Sequence, residues 1–412
     1  MKNLKIKMKN NNSKLKIIRE DANVCISKII LVILFFLPVY LLKIKFGWAS
    51  FNLLEILVAA LFLVWIFNKE KKYQMLNTKY KLPIALIFIG LILSVIANGN
   101  YHNSLGATKG WFVFPILFAI IFFDALKKDE RLLKKFLLAS FSSGVAVSGV
   151  GVIYEFLGAL TYDGRLKAFW DSPNQLAMFL AVPFLIGVYF FLQEKEVKKK
   201  RLRALSAILI GLSLYFTFSY GAWLALSAAL IIIIWLEYGK KKHKKYLAIF
   251  ALLLIAFLAW ASLNKYKSIA NLGERSSLAS RVMIWQSAGL MIEKHPLLGI
   301  GPGNFQEKYL EYQKYFPPYL EWSAPQPHNI FLAFWLESGI LGLAGFVWLM
   351  ILFFRDNKKT IERNRNFGIL FLAIMTYILI HGLVDTTYWR NDLAVVFWMV
   401  VAANKYLAKK DN

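Results

Sequence analysis

The sequence predicts an all-α polytopic integral membrane protein. About twelve transmembrane helices are expected, with both termini in the cytoplasm and one large extracytoplasmic loop carrying short helices between spans nine and ten. Three observations predict this. Apolar residues make up 58% of the 412, charged residues only 18%, and mean hydropathy is +0.50; soluble domains run ~45–50% apolar with ~25% charged. The apolar residues fall in runs suited to crossing a hydrocarbon core ~30 Å thick, which takes about 20 helical residues per crossing. The basic residues between those runs lie mostly on one side. Together these features exclude a soluble enzyme, a disordered chain and a disulfide scaffold. The single cysteine, Cys25, excludes an intrachain disulfide.

The elements follow in order. Residues 1–28 form a basic cytoplasmic N-terminus. The run Ile29 to Leu42 reads as an uncleaved first span, because its basic lead is long and Lys43-Ile44-Lys45-Phe46 follows it instead of a small-residue cleavage site. Further runs lie near 51–67, 82–98, 110–126, 136–158, 174–193, 204–219, 221–237, 246–263, 329–354, 367–385 and 393–408. The stretch from Ser219 to Trp223 is so short that spans seven and eight are expected to form one hairpin. With the N-terminus inside, 37 of the 50 basic residues fall in cytoplasmic segments and 13 outside, seven of these in residues 264–328. Lys and Arg excess on the cytoplasmic side is what sets membrane orientation. It also accounts for the net charge of +26 without nucleic acid as a partner. The resulting organisation is spans one to nine over 29–263, an extracytoplasmic catalytic loop over 264–328, spans ten to twelve over 329–408, and a short cytoplasmic tail over 409–412.

The long loop is the place to look for chemistry, because connections of this length are usually functional or disordered and this one is rich in apolar and aromatic residues. Ser280 is expected to cap a helix starting at Arg281, with Pro296 and Gly299 ending it. Gly299-Ile-Gly301-Pro-Gly303 lacks the strand–turn–helix setting of a dinucleotide site and reads as a tight turn. The stretch Tyr309 to Trp322 reads as an interfacial belt or as a platform for sugar rings.

No HExxH or CxxC motif occurs, and neither a metal nor another cofactor is expected. Arg281 reads as a solvated helix-terminal cation or as a planar, bidentate phosphate ligand. Arg165, in the outward segment Asp163-Gly-Arg-Leu-Lys167, offers the same choice. His328 stands where the chain re-enters the membrane, as a helix-capping imidazole or a general base. His381, Asp385, Glu55, Glu155 and Glu337 lie within or at the ends of apolar runs. Ionisable groups there cost ~2.5–3.5 kcal/mol on insertion scales, which makes them functional candidates or buried hydrogen-bonding groups.

A set of motifs now resembles the O-antigen ligase and polymerase superfamily. They run Ser280-Arg-Val-Met-Ile-Trp285, then His295-Pro-Leu-Leu-Gly-Ile-Gly-Pro-Gly-Asn-Phe305, then His328-Asn329, then Glu337-Ser-Gly-Ile-Leu-Gly342. Upstream, Pro173-Asn174-Gln-Leu-Ala177, with Arg165 ahead of it, resembles a further element. The resemblance implies a metal-independent glycosyltransferase of cell-surface polysaccharide biosynthesis, multi-pass in the cytoplasmic membrane and acting on its outer face. Its donor would be a polyprenyl-diphosphate-linked glycan and its acceptor a lipid or glycan hydroxyl, with membrane lipids around it. It implies that Arg281 and His328 match catalytic residues and that Asp385 matches a late acidic residue, with Glu337 and Asn329 in support. One position departs: Tyr220 stands where the family pattern has a cation, so Arg165 becomes the candidate second diphosphate ligand.

The chemistry fits this reading. The outer face has no nucleotide sugars, so a donor must arrive activated, and a sugar diphosphate carries a good leaving group. Polymerase and protein O-oligosaccharyltransferase activities of the same superfamily remain alternatives. A lipid-linked glycan flippase is a more distant one, for which internal repeats are expected and none is seen.

Overall fold

The computed structural model describes residues 22–47, 49–68, 79–238, 277–317 and 321–409. Over these residues the chain is helical apart from one two-stranded hairpin. The expected ninth span, 246–263, and the start of the long loop lie outside the described residues.

Helix α1, Ala22–Phe35, starts earlier and ends sooner than the apolar run suggests. Pro38 lacks a backbone N–H to continue the ladder, and the run closes as a 3-10 turn, Leu37–Leu41. Next come β1, Lys43–Phe46, and β2, Ala49–Asn52, paired antiparallel. This hairpin replaces the expected plain loop. Its signal is the strict alternation Lys43-Ile44-Lys45-Phe46, the period of a strand. Asn52 then caps α2, Leu53–Phe67, in a reciprocal capping box with Glu55. Glu55 also accepts from Lys109 (2.7 Å) and Asn391 (3.1 Å), so this buried acid ties three segments together.

Among the described residues, six helices are long and apolar enough to cross a membrane. They are α3, Lys81–Asn98; the continuous helix made of α4, Tyr101–Thr108, a π turn and α5, Phe114–Lys128; α6, Leu132–Phe156; α7, Pro173–Gln193; α9, Tyr220–Tyr238; and α12, Ile330–Arg363. Helices α1, α2 and α13 (Arg365–His381) are apolar but shorter. Helices α8, Val197–Phe216, and α14, Asn391–Lys409, occupy the seventh and twelfth expected runs. Only three residues separate α8 from α9, which gives the expected hairpin. The remainder of the described loop forms α10, Ser277–Lys294, and α11, Phe305–Tyr312. Helix α10 therefore begins before Arg281. Ser280 is buried inside it and does not cap it, because the helix already has its first turn at 277–280.

Close backbone contact sets the packing. A Cβ on Gly90 of α3 would sit 2.3 Å from the Ser338 carbonyl oxygen, and one on Gly345 of α12 would sit 2.7 Å from that of Pro83. Membrane helices associate through such small residues because lipid offers no hydrophobic contrast. Helix α14 is buried along almost its whole length. At the end away from the loop, the buried Asp356 of α12 holds Lys79 (2.5 Å) and Lys405 of α14 (3.3 Å).

Helix α12 is broken at Gly339, whose φ is +67°. The loop mends the break. Ile300 N donates to the Leu336 carbonyl (2.6 Å), and Ile340 N donates to that of Leu297 (3.0 Å). At Gly299, φ is +66° and a Cβ would lie 2.2 Å from the Leu336 oxygen, so this close approach requires glycine. Glu337 accepts from Gly303 N (3.2 Å). The glycine turn thus docks the loop onto a broken span, in keeping with its reading as a turn, and Glu337 anchors it.

Candidate active site

The site is assembled where α10 crosses the connection between α13 and α14. Helix α13 stops at His381, with Gly382 as its C-cap, so Asp385 belongs to the connection and not to the apolar run that was expected to contain it. Asn329 caps α12 by accepting from Phe331 N (2.9 Å) and Leu332 N (3.1 Å), and its amide donates to the Leu383 carbonyl (3.0 Å). Ile330 N donates to the Gly382 carbonyl (2.7 Å). The start of α12 is therefore stitched to the connection, and His328 lies directly over Asp385.

Three side chains meet there. His328 Nδ1 is 3.0 Å from Asp385 Oδ1, and Arg281 Nη2 is 3.6 Å from Asp385 Oδ2. Arg281 Nε donates to the Val384 carbonyl (2.5 Å), and its Nη1 donates to the Ser277 carbonyl (3.0 Å). One turn on, Trp285 Nε1 donates to the His328 carbonyl (3.3 Å). The spacing of Arg281 and Trp285, four residues, puts both on one face of α10, and that face clamps both the connection and the histidine. The Asp385 side chain is 2% exposed, against 15% for Arg281 and 27% for His328. Asp385 is sealed while Arg281 and His328 reach the surface.

Burial acts to raise the Asp385 pKa. The charge of His328, its hydrogen bond and the charge of Arg281 outweigh burial and hold the carboxyl well below the ordinary range. An ionised carboxylate only accepts hydrogen bonds. Nδ1 of His328 is then the protonated nitrogen, and Nε2 is left as the basic one. His328 adopts φ +47°, a left-handed conformation costly for a residue with a Cβ; the contacts on either side hold it there.

Arg165 approaches from the 157–172 connection. Its Nε donates to the Thr217 carbonyl (2.8 Å), its Nη2 donates to Asn174 Oδ1 (3.0 Å), and Asp163 lies 3.8 Å from Nη1. Its pKa is lowered, first by burial and then by the charge of Arg281, against the opposing influence of Asp163 and Tyr220. The two arginines therefore feel each other. Tyr220 opens α9 beside Trp223, with ring centroids 5.2 Å apart. Gly221 lets α9 pack against the connection, since a Cβ there would lie 2.9 Å from Val384 Cγ2 and 3.2 Å from His381 Cδ2. His381 is buried, with Nδ1 2.8 Å from the Tyr377 hydroxyl.

The structure thus brings His328, Arg281 and Asp385 together, with Asn329 as their splint and Arg165 and Tyr220 alongside. Glu337 lies at the helix break, Glu55 at the α2 cap and Glu155 on the last turn of α6. Asn174 as the partner of Arg165, and Trp285 as the strap over His328, went unassigned in the sequence. Both stand in the quoted motifs, and that was the only signal for either.

Residues 205–347 match the family model described as O-antigen ligase. Over this part of its length the chain is similar to the O-antigen ligase family. It is 22% identical over 323 residues to the O-antigen ligase of Salmonella typhimurium, covering 73% of this chain and 77% of that one. An uncharacterised protein of Haemophilus influenzae is 21% identical over 358 residues, covering 80% and 85%. NADH-quinone oxidoreductase subunit N of Rhodobacter capsulatus is 26% identical over 142 residues, only 34% and 30% of the two chains; so partial a match carries no argument about the site. Six described helices long and apolar enough to cross a membrane are in keeping with that likeness.

A carboxyl held below its ordinary pKa contributes stability above about pH 4 and loses that contribution as pH falls through its folded value. Asp385→Asn is therefore expected to lower the unfolding midpoint in detergent at pH 7, at a cost of about 1–3 kcal/mol. The gap from the parent protein should narrow below about pH 4. An equal gap at pH 7 and pH 3 would show that the charge of Asp385 is not what holds the site.

Proposed function

We propose that the protein transfers a saccharide from a polyprenyl-diphosphate-linked donor to an acceptor hydroxyl on the outer face of the cytoplasmic membrane. The observation that carries this is the meeting of His328, held on a buried carboxylate, with Arg281 and the nearby Arg165. Two guanidiniums approaching from different segments form a seat suited to a multiply charged anion. An imidazole whose orientation is fixed by a carboxylate suits a general base.

In this reading the acceptor hydroxyl attacks the anomeric carbon and gives its proton to His328 Nε2. The bond from that carbon to the diphosphate oxygen breaks, and the electron pair leaves with the polyprenyl diphosphate. Arg281 and Arg165 neutralise the charge that builds on the leaving oxygen, a preorganised electrostatic role. Tyr220 stands beside this seat, and Asp385 keeps the imidazole in its tautomer.

The orientation is part of the proposal. Twelve spans with both ends inside would put residues 277–328 outside and 193–203 inside, in keeping with the distribution of basic residues. In a Cys25→Ser background, an impermeant thiol reagent applied from outside should label a cysteine at Glu307 and not one at Lys199. The opposite pattern would invert the topology.

Turnover in proteoliposomes tests the chemistry. Arg281→Lys keeps the charge but loses the planar fork and should lower turnover roughly 10²–10³-fold. His328→Gln should lower it about 10²–10⁴-fold. Arg165→Ala should weaken donor binding. Near-parental turnover of Arg281→Lys would make that residue a surface cation and remove the diphosphate seat.

A further inference from the structure

His381 is an ionisable group that the transfer reading leaves unused. It closes α13 and is 1% exposed, as is Tyr377 one turn earlier. The His381 carbonyl accepts from Val384 N (3.0 Å) and Asp385 N (2.9 Å). The chain thus folds back over the histidine and puts Asp385 one turn beyond it. The ring edge faces the start of α9. A Cβ on Gly221 would lie 3.3 Å from His381 Nε2 and 2.9 Å from Val384 Cγ2, so Nε2 lies in the corner where α9 meets the connection that carries Asp385.

Two buried polar atoms here have no hydrogen-bond partner, His381 Nε2 and Asp385 Oδ2. The tautomer decides what Nε2 offers. The Tyr377 hydroxyl lies 2.8 Å from His381 Nδ1, its one hydrogen-bond partner among the described residues. A buried hydroxyl proton left without an acceptor is costly, so the hydroxyl donates to Nδ1, and in the neutral ring Nε2 then carries the hydrogen. His381 offers a donor and Asp385 an anionic acceptor, and buried groups of either kind are rarely left unmatched. The charges that act on His381 are those of Asp385, Arg281 and His328, and His381 in turn acts on Asp385. Around them stand Tyr220 at the start of α9, Arg165 beyond Arg281, and Arg390 beyond Tyr377.

We propose that His381, oriented by Tyr377, is a positioning residue of the transfer site. Its Nε2–H dipole stabilises the ionised Asp385 at Oδ2, while His328 occupies Oδ1. Both His381 and Asp385 are sealed from solvent, where a dipole acts on a charge more strongly than in water. The effect reaches His328. With part of its charge met by His381, Asp385 pulls less on the imidazolium form of His328. Without the dipole that form is favoured, and fewer His328 rings are free to accept a proton at a given pH. The inference rests on the reading of His328 as the base.

NMR titration of isotope-labelled histidine rings in the full chain, in micelles, tests this apart from turnover, with the His328 signal assigned by its loss in His328→Gln. His381→Leu removes the dipole and should raise the His328 pKa by about half a pH unit or more. His381→Gln can set an amide N–H where Nε2–H stood and should stay within about a quarter of a pH unit of the parent. Tyr377→Phe frees Nδ1 and should shift His328 in the same sense as the Leu variant. The acid limb of turnover in proteoliposomes should move with the titration. If the titration moves and the limb does not, the positioning role stands and His328 is not the base. A parental His328 titration in Tyr377→Phe and in His381→Leu would overturn the proposal, and the first alone decides if the Leu variant does not fold. A shift in His381→Gln as large as that in His381→Leu would also overturn it, because His381 would then only fill space.

Discussion

Asp385 is a buried carboxylate with two claimants, and the arrangement of the site depends on it. Its Oδ1 faces His328 Nδ1 and its Oδ2 faces Arg281. Thr386 N also donates to Oδ1 (2.8 Å). A carboxylate removed from water is costly unless it is paired and hydrogen-bonded. The protein meets that cost with His328 and Arg281, so one contact both pairs the charge and fixes the orientation of the imidazole.

The rest of the fold serves that contact from several directions. Helix α13 ends so that residues 382–390 can turn back under the start of α12. Asn329 both caps α12 and holds the Leu383 carbonyl. Gly221 brings α9 directly against His381 and Val384, and Val384 supplies the carbonyl that fixes Arg281 Nε. On the far side of α12, the glycine turn fills the break at Gly339. The loop is thus moored to the bundle at two places, and α10 runs between them as a rigid bar carrying Arg281 and Trp285 on one face.

Sequence reasoning reached the membrane class and singled out the side chains that the fold brings together in the candidate site, because both are written in local patterns. Long apolar runs and basic asymmetry need no tertiary information. Asp385 stands out because an ionisable group at the end of an apolar run is costly, Arg281 as a cation at a helix start in the long loop, and His328 as an imidazole where the chain re-enters the membrane. What local pattern does not carry is who pairs with whom. His328 and Asp385 are 57 residues apart, and Arg281 and Val384 are 103 apart, so only the packing of α10, α12 and α13 decides the pairing. Element ends were misread where hydropathy or a lone capping residue was the guide. Pro38 stopped the first helix early, α13 ended before Asp385, and α10 began a turn before Ser280. The β1–β2 hairpin hid in a segment too short for a span, although its alternation was visible.

The most direct test of the central claim is a double-mutant cycle on turnover with Asp385→Asn, His328→Gln and the two combined. If Asp385 acts by fixing His328 for proton acceptance, the effects are not independent. The account predicts that the double variant turns over within about threefold of the slower single variant. Losses that multiply, with the double variant slower by the product of the two single effects, would mean that the carboxylate and the imidazole act separately and would contradict the account.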